Sequence, residues 1–192
     1  MNCISCGKTA ELPIRALQLR TMHVRGMEGE EKYQVPDDAV TEYSVCRECA
    51  EKELARLLSG GTIRKRLLIF GLVLVLGIPL ALLFRGRERV FFVTGIAAVF
   101  AGAAGLVSTL RDWNEERRRL SALPKEEALY EAAWQVFLAH APSQMQDGRW
   151  KLTYLPVNEK TYATKPGDLM VLYDIQAGVA KEVMTKIGHP QA

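Results

Sequence analysis

Histidine is scarce in this chain, three in 192 residues, and cysteine is absent outside two C-x-x-C pairs, Cys3/Cys6 and Cys46/Cys49. None of the acid or base candidates His140, Asp147, Asp168, Asp174 and His189 has helical metal spacing or sits in a recognisable motif, so no catalytic constellation is legible. Two long stretches, Leu67 to Phe84 and Val90 to Leu110, contain no ionisable side chain. Intramembrane ion and substrate paths usually announce themselves by such groups, which leaves no sign of a transport path here. Residues 1–61 also lack a basic excess, with 8 Lys and Arg against 10 Asp and Glu, and this disfavours a nucleic-acid reader.

What the two uncharged stretches do contain is apolar bulk. Fourteen of the residues from Leu67 to Phe84 are Leu, Ile, Val or Phe. At 1.5 Å per residue the stretches make helices of about 27 and 31 Å, close to the roughly 30 Å of a bilayer's hydrocarbon core. They are separated only by Arg85-Gly86-Arg87-Glu88-Arg89 and read as a transmembrane hairpin with spans 67–84 and 90–110. The first span begins too far along the chain to be an N-terminal signal peptide.

Basic charge follows this hairpin. Residues 62–123 carry 10 Lys and Arg against 4 Asp and Glu, whereas residues 124–192 carry 7 against 8. Lys52, Arg56, Arg64, Lys65 and Arg66 precede the hairpin, and Arg111, Arg117, Arg118, Arg119 and Lys125 follow it. By the positive-inside rule both termini are expected in the cytoplasm. Reduced cysteines ask for the same compartment. The basic flanks can also attract anionic membrane lipid. Trp113 stands where an interfacial aromatic anchor is expected, and Glu115 and Arg119 stand at i,i+4 spacing.

Within the spans, Pro79 lies one turn from the end of the first, where a local kink is tolerated. In the second, Ala97, Ala101 and Gly105 recur every four residues beside Ala98 and Gly102, a spacing that lets helix backbones approach closely. That small face receives the leucines of the first helix or forms a homodimer seam.

The N-terminal segment, 1–61, reads as Cys3-Ile4-Ser5-Cys6-Gly7, then strands over Ile14 to Val24, Lys32 to Val35 and Val40 to Val45 with a turn over Gly26 to Glu31. Cys46-Arg47-Glu48-Cys49 then opens a helix reaching about Leu58, and Gly60-Gly61 ends it. A tight knuckle, a β-hairpin and a second C-x-x-C at a helix start resemble a treble-clef or zinc-ribbon module over residues 3–58. That resemblance implies a closed structural Zn2+ site of Cys3, Cys6, Cys46 and Cys49. The competing readings are a redox pair, which wants a βαβ setting, and a contribution from His23, which stands alone in a strand pattern.

The C-terminal segment, 124–192, is expected as a small separate α+β domain. A helix opens at Pro124 with Leu129, Ala132, Ala133, Val136 and Phe137 as its apolar stripe, and Ala141 to Gly148 is a loop. Trp150 to Val157 reads as a strand with Lys160 to Thr164 as its hairpin partner, and a final helix runs from about Pro166 to Ile187. His140, Asp147, Asp168, Asp174 and His189 are the acid or base groups singled out there.

The expected class is therefore an α+β membrane protein: a cytoplasmic zinc-binding domain over 1–61, a transmembrane hairpin over 62–123 and a cytoplasmic domain over 124–192. The function this suggests is a membrane-anchored scaffold or adaptor that recruits a protein partner. A small membrane-bound enzyme with its site in the C-terminal domain, or an accessory subunit of a transport complex, is the alternative.

Overall fold

The computed structural model describes residues 1–26, 29–61, 63–84, 88–145, 148–158, 161 and 164–188. Its elements are strands β1 (Leu12–Gly26), β2 (Gly29–Pro36) and β3 (Thr41–Val45), helices α1 (Arg47–Leu58), α2 (Arg64–Leu83), α3 (Arg89–Ala122) and α4 (Lys125–His140), strand β4 (Lys151–Pro156), and helices α5 (Pro166–Tyr173) and α6 (Ala177–Ile187). They form two compact units, one from Met1–Glu53 with Leu129–Ala192 and one from Leu54–Ala128.

Strand β1 organises the first unit. It pairs antiparallel with β2 over Leu19–Gly26, with β3 over Leu12–Ala16 and with β4 over Ala16–Thr21. Leu19, Arg20 and Thr21 pair with both β2 and β4, and Ala16 with both β3 and β4. A strand residue has one neighbour on each side, so β2 and β3 follow one another along one edge and β4 takes the other. Pro36-Asp37-Asp38 breaks the β2–β3 edge because proline cannot donate to the ladder.

The expected separate C-terminal domain over 124–192 is thus corrected. Its strand β4 adds to the N-terminal sheet, and each outer segment alone is small for a self-sufficient core. The reason shows in the burial of β1, whose two faces are both covered. Leu17 and Leu19 join Leu155, Val157, Ile175, Ala180, Val183 and Ile187 in one core on the α6 side. On the opposite face Ile14 and Ala16 are buried, Tyr43 stands opposite Ile14, and Phe137 of α4 meets the tilted ring of Tyr43 with centroids 4.6 Å apart and Tyr154 edge to face at 5.1 Å. The stripe read for α4, Leu129, Ala132, Ala133, Val136 and Phe137, is buried throughout.

The sheet edges are closed locally. Leu152 N–H donates to Ser143 O and Met145 N–H to Trp150 O beside β4, and Ile4 N–H donates to Ser44 O of β3. Such contacts blunt an edge that would otherwise template aggregation. Of the expected hairpin partner Lys160 to Thr164, only Thr161 and Thr164 fall within the described residues. Thr161 Oγ1 donates to Pro156 O at 2.6 Å, and the partner of β4 is β1.

The single final helix expected from Pro166 to Ile187 is two. Asp174 takes a left-handed backbone at φ 52° and caps α5, and Gln176 precedes α6. The break is held by a strand far away in sequence. Buried Gln34 of β2 donates to Asp174 O at 2.8 Å and accepts from Gln176 N–H at 2.6 Å, while Gln176 Nε2 donates to Lys32 O. The amide supplies backbone groups with the partners that the helix would have given.

In the second unit α2 and α3 pack antiparallel, and glycine sets their approach. A Cβ added at Gly102 would lie 2.8 Å from Leu74 N, and one at Gly95 would lie 2.4 Å from Ala81 N. Gly77 faces Ala98 in the same way. Gly95, Ala98 and Gly102 thus turn towards α2, whereas Ala97 and Ala101 are exposed. Helix α2 continues through Pro79 to Leu83. Both helices are long and apolar enough to cross a membrane. Leu68, Leu76, Leu82, Val90 and Phe100 are exposed on them, so most of this apolar surface has no protein cover. The hydroxyls in the second stretch satisfy themselves within the helix, Thr94 Oγ1 donating to Val90 O and Thr109 Oγ1 to Gly105 O.

Helix α3 continues past its apolar part to Ala122. There Glu115 pairs with Arg111 at 2.8 Å, and Arg119 pairs with Glu116. Trp113 is no bare interfacial anchor, because its Nε1–H donates to Leu57 O at the end of α1 and its ring packs over Gly60.

Two substitutions test this packing. Gly102→Leu should lower the thermal stability of detergent-solubilised protein by at least about 1–3 kcal/mol through overpacking, and Ala101→Leu should leave it unchanged. Gln34→Ala should cost about 1 kcal/mol in unfolding experiments, because Gln176 N–H loses its acceptor while Asp174 O keeps Lys32 Nζ.

Candidate metal centre

The two C-x-x-C pairs are brought together by the sheet. The first forms a knuckle in which Gly7 N–H donates to Cys3 O at 2.9 Å and Cys3 N–H to Lys8 O at 2.7 Å. Gly7 has φ +74°, the left-handed backbone that glycine adopts without strain. Ile4 docks this knuckle on β3 through Ser44 O, and β3 leads directly into Cys46. Cys49 sits in the first turn of α1.

All four Sγ atoms lie within 4.8 Å of one another, with Cys6 and Cys46 3.5 Å apart. Sulfur bonds of about 2.3 Å to a tetrahedral ion would put the sulfurs about 3.8 Å from each other, so the four thiols could hold one metal ion. Cys3 and Cys46 are buried, Cys49 is half-buried and Cys6 is exposed. Four ligands from protein would fill a tetrahedron and leave no open position.

Their electrostatics point the same way. Burial opposes ionisation of Cys3, but the N–H groups of Cys46, Cys6 and Ser5 outweigh it and hold the thiol down to about 6. Burial and then hydrogen bonds to Cys46 and Cys6 push Cys49 up to about 12, and burial also raises Cys46. One thiolate is thus favoured while further ones are opposed, and a cation is what lets all four ionise together.

Two links around the cluster have no sequence signal. Lys8 Nζ donates to Glu48 Oε2 at 2.7 Å, joining the knuckle to the helix turn across exposed surface. His140, at the end of α4, places Nδ1 2.8 Å from Val136 O and Nε2 3.2 Å from Ser5 Oγ. A carbonyl only accepts, so Nδ1 carries a proton and, in the neutral ring, Nε2 accepts from the Ser5 hydroxyl. The histidine singled out as an acid or base therefore fastens the knuckle through Ser5, 135 residues away.

No protein-family model, curated protein or solved structure matches the chain.

The other singled-out residues lie elsewhere. His23 is exposed on β1 opposite Lys32 and does not join the cysteine cluster. Asp174 caps α5 and pairs with Lys32 at 2.5 Å, which holds its carboxyl below the usual range. Asp168 is exposed in the first turn of α5. Asp147 and His189 lie outside the described residues.

Metal binding here must displace protons from Cys49 and Cys46, so affinity should rise with pH through neutrality and fall as acid reprotonates Cys3 below about 6. Competition with a chelator at pH 6, 7 and 8 checks the slope; a flat profile would contradict the thiolate geometry.

Proposed function

We propose that this chain is a membrane-anchored cytoplasmic adaptor whose first unit is stiffened by one structural Zn2+ and presents a surface to a protein partner. The observation that carries the reading is the four-thiol cluster at the junction of the Cys3–Gly7 knuckle, β3 and α1. Zinc suits four thiolates because it is soft enough for sulfur and has no redox chemistry. A filled tetrahedron stabilises a fold and offers no site for substrate, which favours recruitment over catalysis. The arrangement of knuckle, hairpin and helix-borne pair supports a treble-clef or zinc-ribbon-like module, here with β4 added from beyond the hairpin.

Two arguments support the topology. Strands β1 and β4 come from opposite sides of the hairpin in sequence and pair residue by residue, which supports a reading with both on one side of a bilayer. That placement agrees with two crossings. The basic excess beside the spans and the reduced thiols then favour the cytoplasmic side. Against an enzyme, His140 and Asp174 are already engaged, with Ser5 and Lys32.

The test has a metal arm, a topology arm and a functional arm. Purified protein should hold about one zinc per chain, and Cys46→Ser should lose both the metal and the protease resistance of the first unit. In a version lacking the native cysteines, a thiol at Gly86 should react with a membrane-impermeant reagent from outside the cell and one at Ser121 should not. Asp168→Asn should leave the cellular phenotype intact, whereas Cys49→Ser should abolish it. A loss of about a hundredfold from Asp168→Asn in folded, inserted protein would favour catalysis instead.

A further inference from the structure

The extramembrane end of the hairpin carries cations that the protein does not neutralise. On α3, the acids Glu115 and Glu116 are engaged by Arg111 and Arg119. Arg117 and Arg118 make no ion pair among the described residues, and the guanidinium of Arg117 stands 5.3 Å from the centroid of the Trp113 ring. Asn114, Arg117, Arg118 and Ser121 recur at i, i+3, i+4 and i+7, so two guanidinium forks, an amide and a hydroxyl share one exposed helix face. They line a shallow groove.

The partner helix adds to this charge. Gly102 faces Leu74 and Gly105 faces Phe70, so the antiparallel pairing carried on towards the helix ends sets Arg64, Lys65 and Arg66 opposite the turn from Leu110 to Asp112. All three are exposed and make no ion pair among the described residues. Both helices therefore present their free cations at the same end of the hairpin.

From this geometry we infer that the Asn114–Ser121 face of α3, with Arg64–Arg66, binds the phosphate groups of anionic phospholipids. The depth fits. Arg117 lies seven residues beyond Leu110, about 10 Å along the helix, and the headgroup layer occupies roughly the first 5–8 Å beyond the hydrocarbon. A guanidinium on its flexible stem reaches back over that distance and grips phosphate oxygens in pairs. Trp113, tied to Leu57 O, is not free to serve as the headgroup anchor, and the arginine face takes that place. The inference rests on α2 and α3 spanning a bilayer.

The experiment reconstitutes the full chain in vesicles of mixed phosphatidylcholine and phosphatidylglycerol, extracts it in mild detergent and measures the phospholipid it retains. Wild type should retain phosphatidylglycerol above its share of the vesicle. Arg117→Gln combined with Arg118→Gln should lose about fivefold of that enrichment per arginine. Lys151→Gln combined with Lys181→Gln, an equal loss of charge elsewhere, should not. Undiminished enrichment in the arginine variant would overturn the inference. Should that variant fail to insert, the wild type decides: its enrichment should fall steeply between low salt and 1 M, and a salt-independent enrichment is the contrary result. Inorganic phosphate matched to the lipid phosphate should not displace the lipid; displacement would mark a soluble-phosphate site and overturn the membrane source. Flotation with the vesicles is scored separately. Protein that fails to float refutes the spanning helices, and protein that floats without enrichment refutes only this inference.

Discussion

The antiparallel pairing of β1 with β4 is the constraint on which the rest of the first unit depends. It joins Ala16–Thr21, near the start of the chain, to residues 151–156, beyond both long helices. Without it Leu17 and Leu19 would face α6 with no Leu155 beside them, and the α5–α6 pair would have no sheet to cover. The same pairing brings α4 to the other face, where Phe137 meets Tyr43 and Tyr154. Burial on both faces explains why a sheet with so few strands can support helices on two sides.

The cysteine cluster depends on that sheet. Strand β3 ends at Val45, next to Cys46, and its edge receives the knuckle through Ile4 and Ser44. The sheet therefore sets the distance between the two pairs, and an ion held by all four thiols would fix knuckle, strand and α1 at once. His140 extends the connection to α4 through Ser5. Knuckle, sheet and the segment beyond the hairpin are in this way joined.

Much of this was readable from local pattern. The C-x-x-C pairs, the uncharged runs, β1 to β3, α1 and the stripe of α4 all follow from spacing or periodicity over a few turns. What was not readable depends on partners distant in sequence. The period of β1 suggests one buried face, because nothing nearby indicates that Ile14 and Ala16 will be covered as well as Leu17 and Leu19. The break at Asp174 is invisible because its cause is Gln34, 140 residues earlier. The strand after α4 looked like half of a local hairpin, and only the core it shares with β1 says otherwise. The same limit applied to His140, whose partner lies in the knuckle.

The β1–β4 ladder also fixes an order of events during synthesis. Between the emergence of Gly26 and Pro156 from the ribosome lie 130 residues, about 7–26 s at 5–20 residues per second. For that interval one edge of β1 and the apolar side chains of Leu17 and Leu19 lack β4 and α6, while both long apolar helices emerge. Completion of the sheet is therefore a late step, non-local in sequence and slow by the usual relation between contact distance and rate. A nascent chain stalled before β4 would display an open strand edge beside two exposed leucines, which is the kind of surface that holding chaperones bind and that self-associates when they are absent.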